Sequence, residues 1–116
     1  MTALGIDFGT KTIGLAYTLN GIIFTLPPIK NNSDKFKTIL SIINEYSVKK
    51  IYVGVSEGKV AILTQKFILD LKNVINLPIE TVEESVSTIE ASAIQKINKG
   101  SIDSTSAAVI LRRVIS

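Results

Sequence analysis

Residues 3–26 read ALGIDFGTKTIGLAYTLNGIIFTL, and this segment carries the strongest structural signals in the chain. From Ala3 to Phe8, large apolar residues alternate with small residues and Asp7, which predicts a strand with a carboxylate on its small-residue face. The β-branched and aromatic run Thr12–Thr18 predicts a second strand. Asn20-Gly21 predicts a tight hairpin after it, because both residues tolerate the positive φ angles of a type I′ turn.

The rest of the chain predicts alternating helices and strands. A third strand covers Ile22–Leu26 and is expected to end at Pro27-Pro28, since proline cannot donate to a sheet ladder. The continuous apolar run Ile51–Val55 is typical of a strand that is buried on both faces, and Ile79–Val82 predicts a short further strand.

Four helices are predicted from apolar residues at helical spacing and from capping signals. The first has Ser33 as its N-cap and buries Phe36, Ile39, Leu40 and Ile43; the second follows Gly58 and buries Val60, Leu63, Phe67, Leu71 and Val74. The third opens on the capping box Ser87 and Glu90, runs to about Lys99 and ends at Gly100; the fourth covers Ser104–Ile115 and buries Ala107, Ala108, Leu111 and Val114. We therefore expect one α/β domain, residues 1–116, with a mixed sheet.

The composition restricts the chemistry of the protein. The chain has no His, Cys or Trp, so it cannot build a serine or cysteine triad that uses histidine, a zinc finger or a disulfide framework. Carboxylates, hydroxyls, Lys, Arg and backbone groups must therefore perform any reaction.

Charge and hydropathy indicate where the protein acts. With 13 Lys and Arg against 10 Asp and Glu, the net charge is +3, which is compatible with a polyanionic partner without requiring one. No apolar run approaches the roughly 20 residues that span a bilayer. We therefore expect a cytoplasmic protein with no membrane partner, either a monomer or a homodimer.

Three acidic positions are candidates for a metal site. Asp7 lies in an apolar strand, where an unpaired buried carboxylate would cost several kcal/mol, about 2 to 7 for a polar group without a partner. Glu83 and Glu84 follow the short fifth strand, Ile79–Val82, and Asp103 begins the last helix. Each has a structural alternative: Asp7 as a turn residue, the glutamates as a complement to a helix dipole, Asp103 as an N-cap. Together they indicate an oxygen-rich cage for Mg²⁺ or Mn²⁺.

The sequence LGIDFGTKTIGLA, residues 4–16, closely resembles the first motif of the YqgF or RuvX-like proteins, which are RNase H-fold nucleases associated with Holliday-junction resolution and with pre-16S rRNA processing. Three later stretches follow the family order: YVGV at 52–55 is similar to its central strand, EESVST at 83–88 to its D-E-R-L-T-T motif, and Asp103 with Ala107, Ala108 and Leu111 to its C-terminal D-x-x-A-A-x-x-L helix.

This resemblance implies an RNase H-like mixed sheet, in which a three-stranded antiparallel hairpin region joins parallel strands and helices flank both. It implies that Asp7, Glu84 and Asp103 are catalytic and metal-binding, with Glu83 as the substitute for Glu84. The substrate-binding residues would be Thr10, Lys11, Thr88, Lys96 and Lys99. The implied reaction is hydrolysis of a phosphodiester in structured DNA or precursor rRNA by metal-activated water.

Two other functions stay open from the sequence. Ser85 stands where the family motif has Arg, and the loops after Val55 and before Asp103 are short, which would suit a nucleic-acid-binding module that has lost activity. An ATP-phosphate binder of the actin or sugar-kinase type also opens with a strand, an Asp and a Gly-Thr turn. The chain is, however, too short for the two domains of that class.

Overall fold

The computed structural model describes residues 2–55, 59–83 and 102–115. Five strands form one sheet in the order β3-β2-β1-β4-β5. The strands are β1 (Thr2–Phe8), β2 (Thr12–Leu19), β3 (Ile22–Lys30), β4 (Val48–Val55) and β5 (Ile79–Glu83), and the helices are α1 (Lys35–Tyr46), α2 (Lys59–Val74) and α3 (Ile102–Ile115). Strand β1 pairs antiparallel with β2 and parallel with β4, and β5 is parallel to β4. This is the mixed α/β sheet that the sequence predicts.

The turn between β2 and β3 confirms the predicted hairpin. Asn20 has a φ of 53° and Gly21 a φ of 79°, both in the left-handed region that a type I′ turn requires. The turn sets the register in which Leu19 lies opposite Ile22.

The predicted end of the third strand is wrong, because β3 continues through Pro27-Pro28 to Lys30. Strand β3 is at the edge of the sheet, and both prolines are exposed. The register steps from Leu15 opposite Leu26 to Ile13 opposite Ile29, so one extra residue bulges out of β3 at the prolines. An edge strand with a bulge is a position in which a sheet accepts proline without losing a ladder bond.

Helices α1 and α2 cover one face of the sheet, and α3 covers the other. On the first face the core comprises Leu4, Ile6, Ile13, Leu15, Ile51 and Val53 from the strands, with Ile39, Phe67, Ile68 and Leu71 from the helices. On the second face Ala3 and Ala16 pack against Ala107, Ala108, Val109 and Leu111 of α3. The small strand residues let α3 approach closely: a Cβ on Gly5 would lie 2.7 Å from Leu111 Cγ and 2.8 Å from the carbonyl oxygen of Ala107.

Two predicted helix details are wrong, and the packing explains both. The N-cap of α1 is Asp34, one residue beyond Ser33, because the side-chain oxygen of Asn32 accepts a hydrogen bond from the Asp34 amide at 3.0 Å and forms a turn first. In α2 the buried face is rotated: Thr64 is 1% exposed while Leu63 and Val74 are 46% and 47% exposed. The helix buries Thr64 because its hydroxyl donates to the carbonyl oxygen of Val60 at 2.9 Å.

The predicted helix over 87–99 and the break at Gly100 lie outside the described residues. The last helix is confirmed and begins slightly earlier than predicted, at Ile102. Of the helices that are described, none has both the length and the apolar character needed to cross a bilayer.

Candidate active site

Asp7 lies at the carboxyl end of β1 between two glycines. It pairs with Gly14 on β2 and with Gly54 on β4. Residues directly opposite each other on neighbouring strands share a face of the sheet, so neither neighbour places a side chain beside the carboxylate. Asp7 itself is half-buried at this position.

Helix α3 packs on the same face as Asp7. Gly5, which contacts Ala107 and Leu111 of α3, is two residues before Asp7 on the same strand and so faces the same side. Asp103 is in the first turn of α3, one helical turn before Ala107, although its side chain lies outside the described part of the chain. The structure therefore places Asp7 and the N-terminal turn that contains Asp103 on one side of the sheet. The positive end of the helix dipole favours negative charge at that turn.

Glu83, the substitute in the predicted acid set, faces away from Asp7. Val82 pairs with Gly54, which pairs with Asp7, so these three residues share a face. Glu83 pairs with Val55, which packs against the core beneath α1 and α2. The alternation of side chains along a strand thus separates Glu83 from Asp7.

The turn between β1 and β2 presents two of the predicted substrate contacts. Thr10 and Lys11 are both exposed there. Gly9 is required for the turn, because a Cβ at this position would collide with the carbonyl oxygen of Thr12. Asn31, directly after β3, braces the turn: its side-chain amide donates to the carbonyl oxygen of Gly9 at 2.9 Å, and its backbone N–H donates to the carbonyl oxygen of Lys11 at 2.9 Å.

Several predicted site residues lie outside the described residues: Glu84, Thr88, Lys96 and Lys99. Within the described ranges, no three acidic side chains come together as a metal-binding group, and of the predicted acids only Asp7 and Glu83 have described side chains. The sequence analysis missed Asn31, Gly14 and Gly54. The only sequence signal for Asn31 was its position directly after a strand. Gly14 and Gly54 could be recognised only from the strand pairing that places them opposite Asp7.

The Arg113 side chain extends from α3 to the end of β5. Its guanidinium Nη1 donates to the carbonyl oxygen of Glu83 at 3.2 Å. The peptide that joins Glu83 to Glu84 therefore has a cation beside it.

The opposite, amino edge of the sheet has a separate electrostatic arrangement. Lys50, near the start of β4, has its Nζ 2.9 Å from Glu80 Oε2. The hydrogen bond to Glu80 and a second one to Tyr52 raise the pKa of Lys50 above its ordinary value. Lys50 is thus engaged within the protein at an edge remote from Asp7.

Two solved structures with a similar fold are complexes with Holliday-junction DNA. RuvC from T. thermophilus, in complex with a Holliday junction substrate, has a TM-score of 0.68 with this chain, covering 99% of this chain and 93% of RuvC at 13% identity. The fowlpox virus resolvase, in complex with substrate Holliday junction DNA, has a TM-score of 0.67 and 12% identity over 99% of this chain and 97% of the resolvase. At these identities the likeness shows the fold, which is the RNase H-like fold of the resolvases.

Sequence comparison gives the family. The model of the family described as "RuvX: Holliday junction resolvase" matches residues 1–116. A protein of Prochlorococcus marinus (strain AS9601) is 38% identical over 97% of this chain and 82% of its own length, and one of Buchnera aphidicola subsp. Baizongia pistaciae is 33% identical over 96% and 93%. Both are named "Putative pre-16S rRNA nuclease". The chain belongs to the RuvX family.

Proposed function

We propose that this protein is a divalent-metal-dependent endonuclease that hydrolyses phosphodiester bonds of structured nucleic acid in the cytoplasm. The observation that carries the proposal is the position of Asp7 at the carboxyl end of β1, flanked by Gly14 and Gly54 on the face that α3 covers. The sheet edge at the carboxyl ends of parallel strands is the usual place for a ligand site in open α/β sheets.

The residues present fit a hard divalent cation. We propose Asp7, Glu84 and Asp103 as the ligands of Mg²⁺ or Mn²⁺, since both ions prefer carboxylate oxygens. The choice of Glu84 over Glu83 is supported by the pairing of Glu83 with Val55, which puts Glu83 on the other face. A bound divalent ion would supply water activation and neutralisation of phosphate charge, and the chain has no histidine to serve as a general base.

The chain's own residues would position the substrate. Lys11 and Thr10 are exposed on the turn that follows Asp7, so their ammonium and hydroxyl groups can donate hydrogen bonds to a phosphate that lies over the carboxyl edge. Thr88, Lys96 and Lys99 would add contacts from the segment between β5 and α3. Asn31 keeps the turn in place through its two hydrogen bonds.

The substrate is proposed to be precursor rRNA. The relatives named as pre-16S rRNA nucleases, which this chain matches over nearly its full length, support this choice. Junction DNA, which appears in the description of the family and in the RuvC and fowlpox complexes, is the competing substrate. A cleavage panel of precursor rRNA, four-way junction, flap and single strand distinguishes the two.

The proposed function is tested with Asp7→Asn, Glu84→Gln and Asp103→Asn. We expect each to lower Mg²⁺-dependent cleavage by at least about two orders of magnitude, the size of loss seen when one electrostatic contact of an active site is removed. Each should also reduce the rise in melting temperature that Mg²⁺ or Mn²⁺ produces in the wild type, because an ion bound only by the folded state stabilises that state. Glu45→Gln, at an exposed position of α1, removes one negative charge away from the site and should change neither result.

Cleavage that persists in repurified Asp7→Asn protein would overturn the proposal. A binding module without activity would instead show no cleavage in the wild type and nucleic-acid affinity that all three substitutions leave unchanged or raise. Heat on titration with ATP would identify the phosphate-binding alternative.

A further inference from the structure

A groove opens at the same sheet edge as Asp7 but on the opposite face. Its volume is about 170 Å³, and it lies between the end of β1 and helices α1 and α2. Phe8 and Phe67 form its inner wall, with their ring centroids 4.8 Å apart, and Leu63 of α2, 46% exposed, lines its outer side. Because Phe8 directly follows Asp7 in β1, the groove and the candidate active site are separated only by the edge of the sheet.

Two lysines stand at the rim of this groove. Lys35 comes from the first turn of α1 and Lys66 from the middle of α2. Within the described ranges, neither ammonium is within 4.0 Å of a carboxylate oxygen. Lys35 makes a long hydrogen bond, 3.4 Å, to the carbonyl oxygen of Asn32, and Lys66 is exposed. Asp70 also lines the groove. Two lysines against one aspartate give the lining a net positive charge.

The combination of an aromatic wall with rim cations is suited to a single nucleotide. An aromatic ring stacks on a nucleobase of any sequence, and lysine ammonium groups contact the backbone phosphates. The groove is too small for a duplex. The exposed turn that contains Thr10 and Lys11 follows Asp7 and Phe8 in the chain, and Asn31, which lines the groove, hydrogen-bonds to this turn. A strand that crosses the sheet edge at this turn would pass from one site to the other.

We propose that the groove binds an unpaired nucleotide next to the bond that is cleaved at Asp7. Its base packs against Phe8 and Leu63, and its phosphates contact Lys35 and Lys66. This inference rests on the proposed endonuclease function and adds that the substrate has a single-stranded segment beside the cleavage position.

The test compares two double variants that remove the same charge. Lys35→Gln with Lys66→Gln changes the groove; Lys49→Gln with Lys72→Gln changes two exposed lysines at the amino edge of the sheet, at the start of β4 and in the last turn of α2. Binding of a fluorescent single-stranded RNA is measured by anisotropy in EDTA over a series of salt concentrations, so that cleavage does not contribute. A single-stranded DNA and a blunt duplex are measured in parallel.

Each phosphate contact to a single strand contributes about 0.7 to the slope of log affinity against log salt. We expect the groove variant to lose about 1.4 in this slope and at least about tenfold in affinity for both single strands, with its duplex binding unchanged. The amino-edge variant should keep the wild-type slope. Phe8→Leu, which keeps an apolar side chain in the core, should weaken single-strand binding by about 5-fold to 100-fold, because it removes base stacking. The slope should not change, because no phosphate contact is lost.

Equal losses in the two double variants, or a wild type that binds single strands no better than the duplex, would overturn the groove proposal. Because binding is measured without metal, its result is independent of catalysis. A wild type that shows the groove effect but cleaves nothing with Mg²⁺ would contradict the endonuclease function and leave the nucleotide site standing.

Discussion

The side-chain amide of Asn31 donates a hydrogen bond to the carbonyl oxygen of Gly9 at 2.9 Å, across 22 residues of sequence. The backbone amide of Asn31 also donates to Lys11, at the other end of the same turn. The end of β3 thus fixes the conformation of the loop that follows Asp7. Asn31, which is distant in sequence, therefore helps to set the positions of Thr10 and Lys11 in this turn.

We expect Asn31→Ala to lower the single-turnover cleavage rate by about 10-fold to 100-fold, the usual effect of removing a group that orients an active-site residue. The backbone bond to Lys11 remains, so the fold should persist while amide hydrogen exchange at 10–12 becomes faster. Asn32→Ala, which removes only the bond between the Asn32 side chain and the Asp34 amide, is the matched control and should cleave at the wild-type rate. Faster exchange in Asn31→Ala without loss of rate would show that the turn is not part of the site.

Glu83 and Glu84, at the end of β5, should differ in their contribution to metal binding. Glu84→Gln is expected to remove the stabilisation by Mn²⁺ in a thermal melt, whereas Glu83→Gln should keep it, because Glu83 pairs with Val55 on the face opposite from Asp7. The two substitutions change adjacent residues by the same charge, so each serves as the control for the other. The reverse result would mean that the register of β5 changes when metal binds.

The close contact between α3 and β1 predicts that Gly5→Ala is destabilising. The new Cβ would lie 2.7 Å from Leu111 Cγ and 2.8 Å from the carbonyl oxygen of Ala107, and overpacking of this kind costs about 1 to 3 kcal/mol. Urea unfolding should show a lower midpoint at unchanged slope. Leu111→Ala removes the side-chain clash but not the one with the backbone. Gly5→Ala should therefore lower the free energy of unfolding less in a Leu111→Ala background than in the wild type, but still by a measurable amount. A wild-type midpoint for Gly5→Ala would show that α3 can shift freely.

Thr18 should be needed for its hydroxyl and not for its shape. Its Oγ1 accepts a hydrogen bond from the Ala3 amide at 2.9 Å, at the position where the pairing of β1 with β4 shifts register, and Thr18 is 4% exposed. Thr18→Val keeps the volume but leaves a buried N–H without this acceptor, which costs about 1 to 3 kcal/mol. Thr18→Ser keeps the hydroxyl and should lose less. Equal free energies of unfolding for the two variants would indicate that packing alone determines the effect.

The elements with strong local signals could be predicted from the sequence. Alternation located β1, Asn20-Gly21 located the hairpin turn, and the spacing of Ala107, Ala108 and Leu111 gave the buried face of α3. The predictions failed where contacts with neighbouring elements determine the local structure. Strand β3 continues through its two prolines because it is an edge strand with a bulge. Thr64 takes the place of Leu63 in the core because its hydroxyl forms a hydrogen bond within its own helix.

Composition and local pattern already limit the possible chemistry: the chain has no histidine or cysteine, Asp7 lies in an apolar strand, and further acids follow β5 and lie in the first turn of α3. Which groups surround Asp7 depends on the assembled sheet. Strand pairing placed Gly14 and Gly54 beside it, turned Glu83 to the other face and brought Asn31 to Gly9. A residue's face and its long-range partners depend on strand register, which is set by the pairing of whole strands and is not contained in any local pattern.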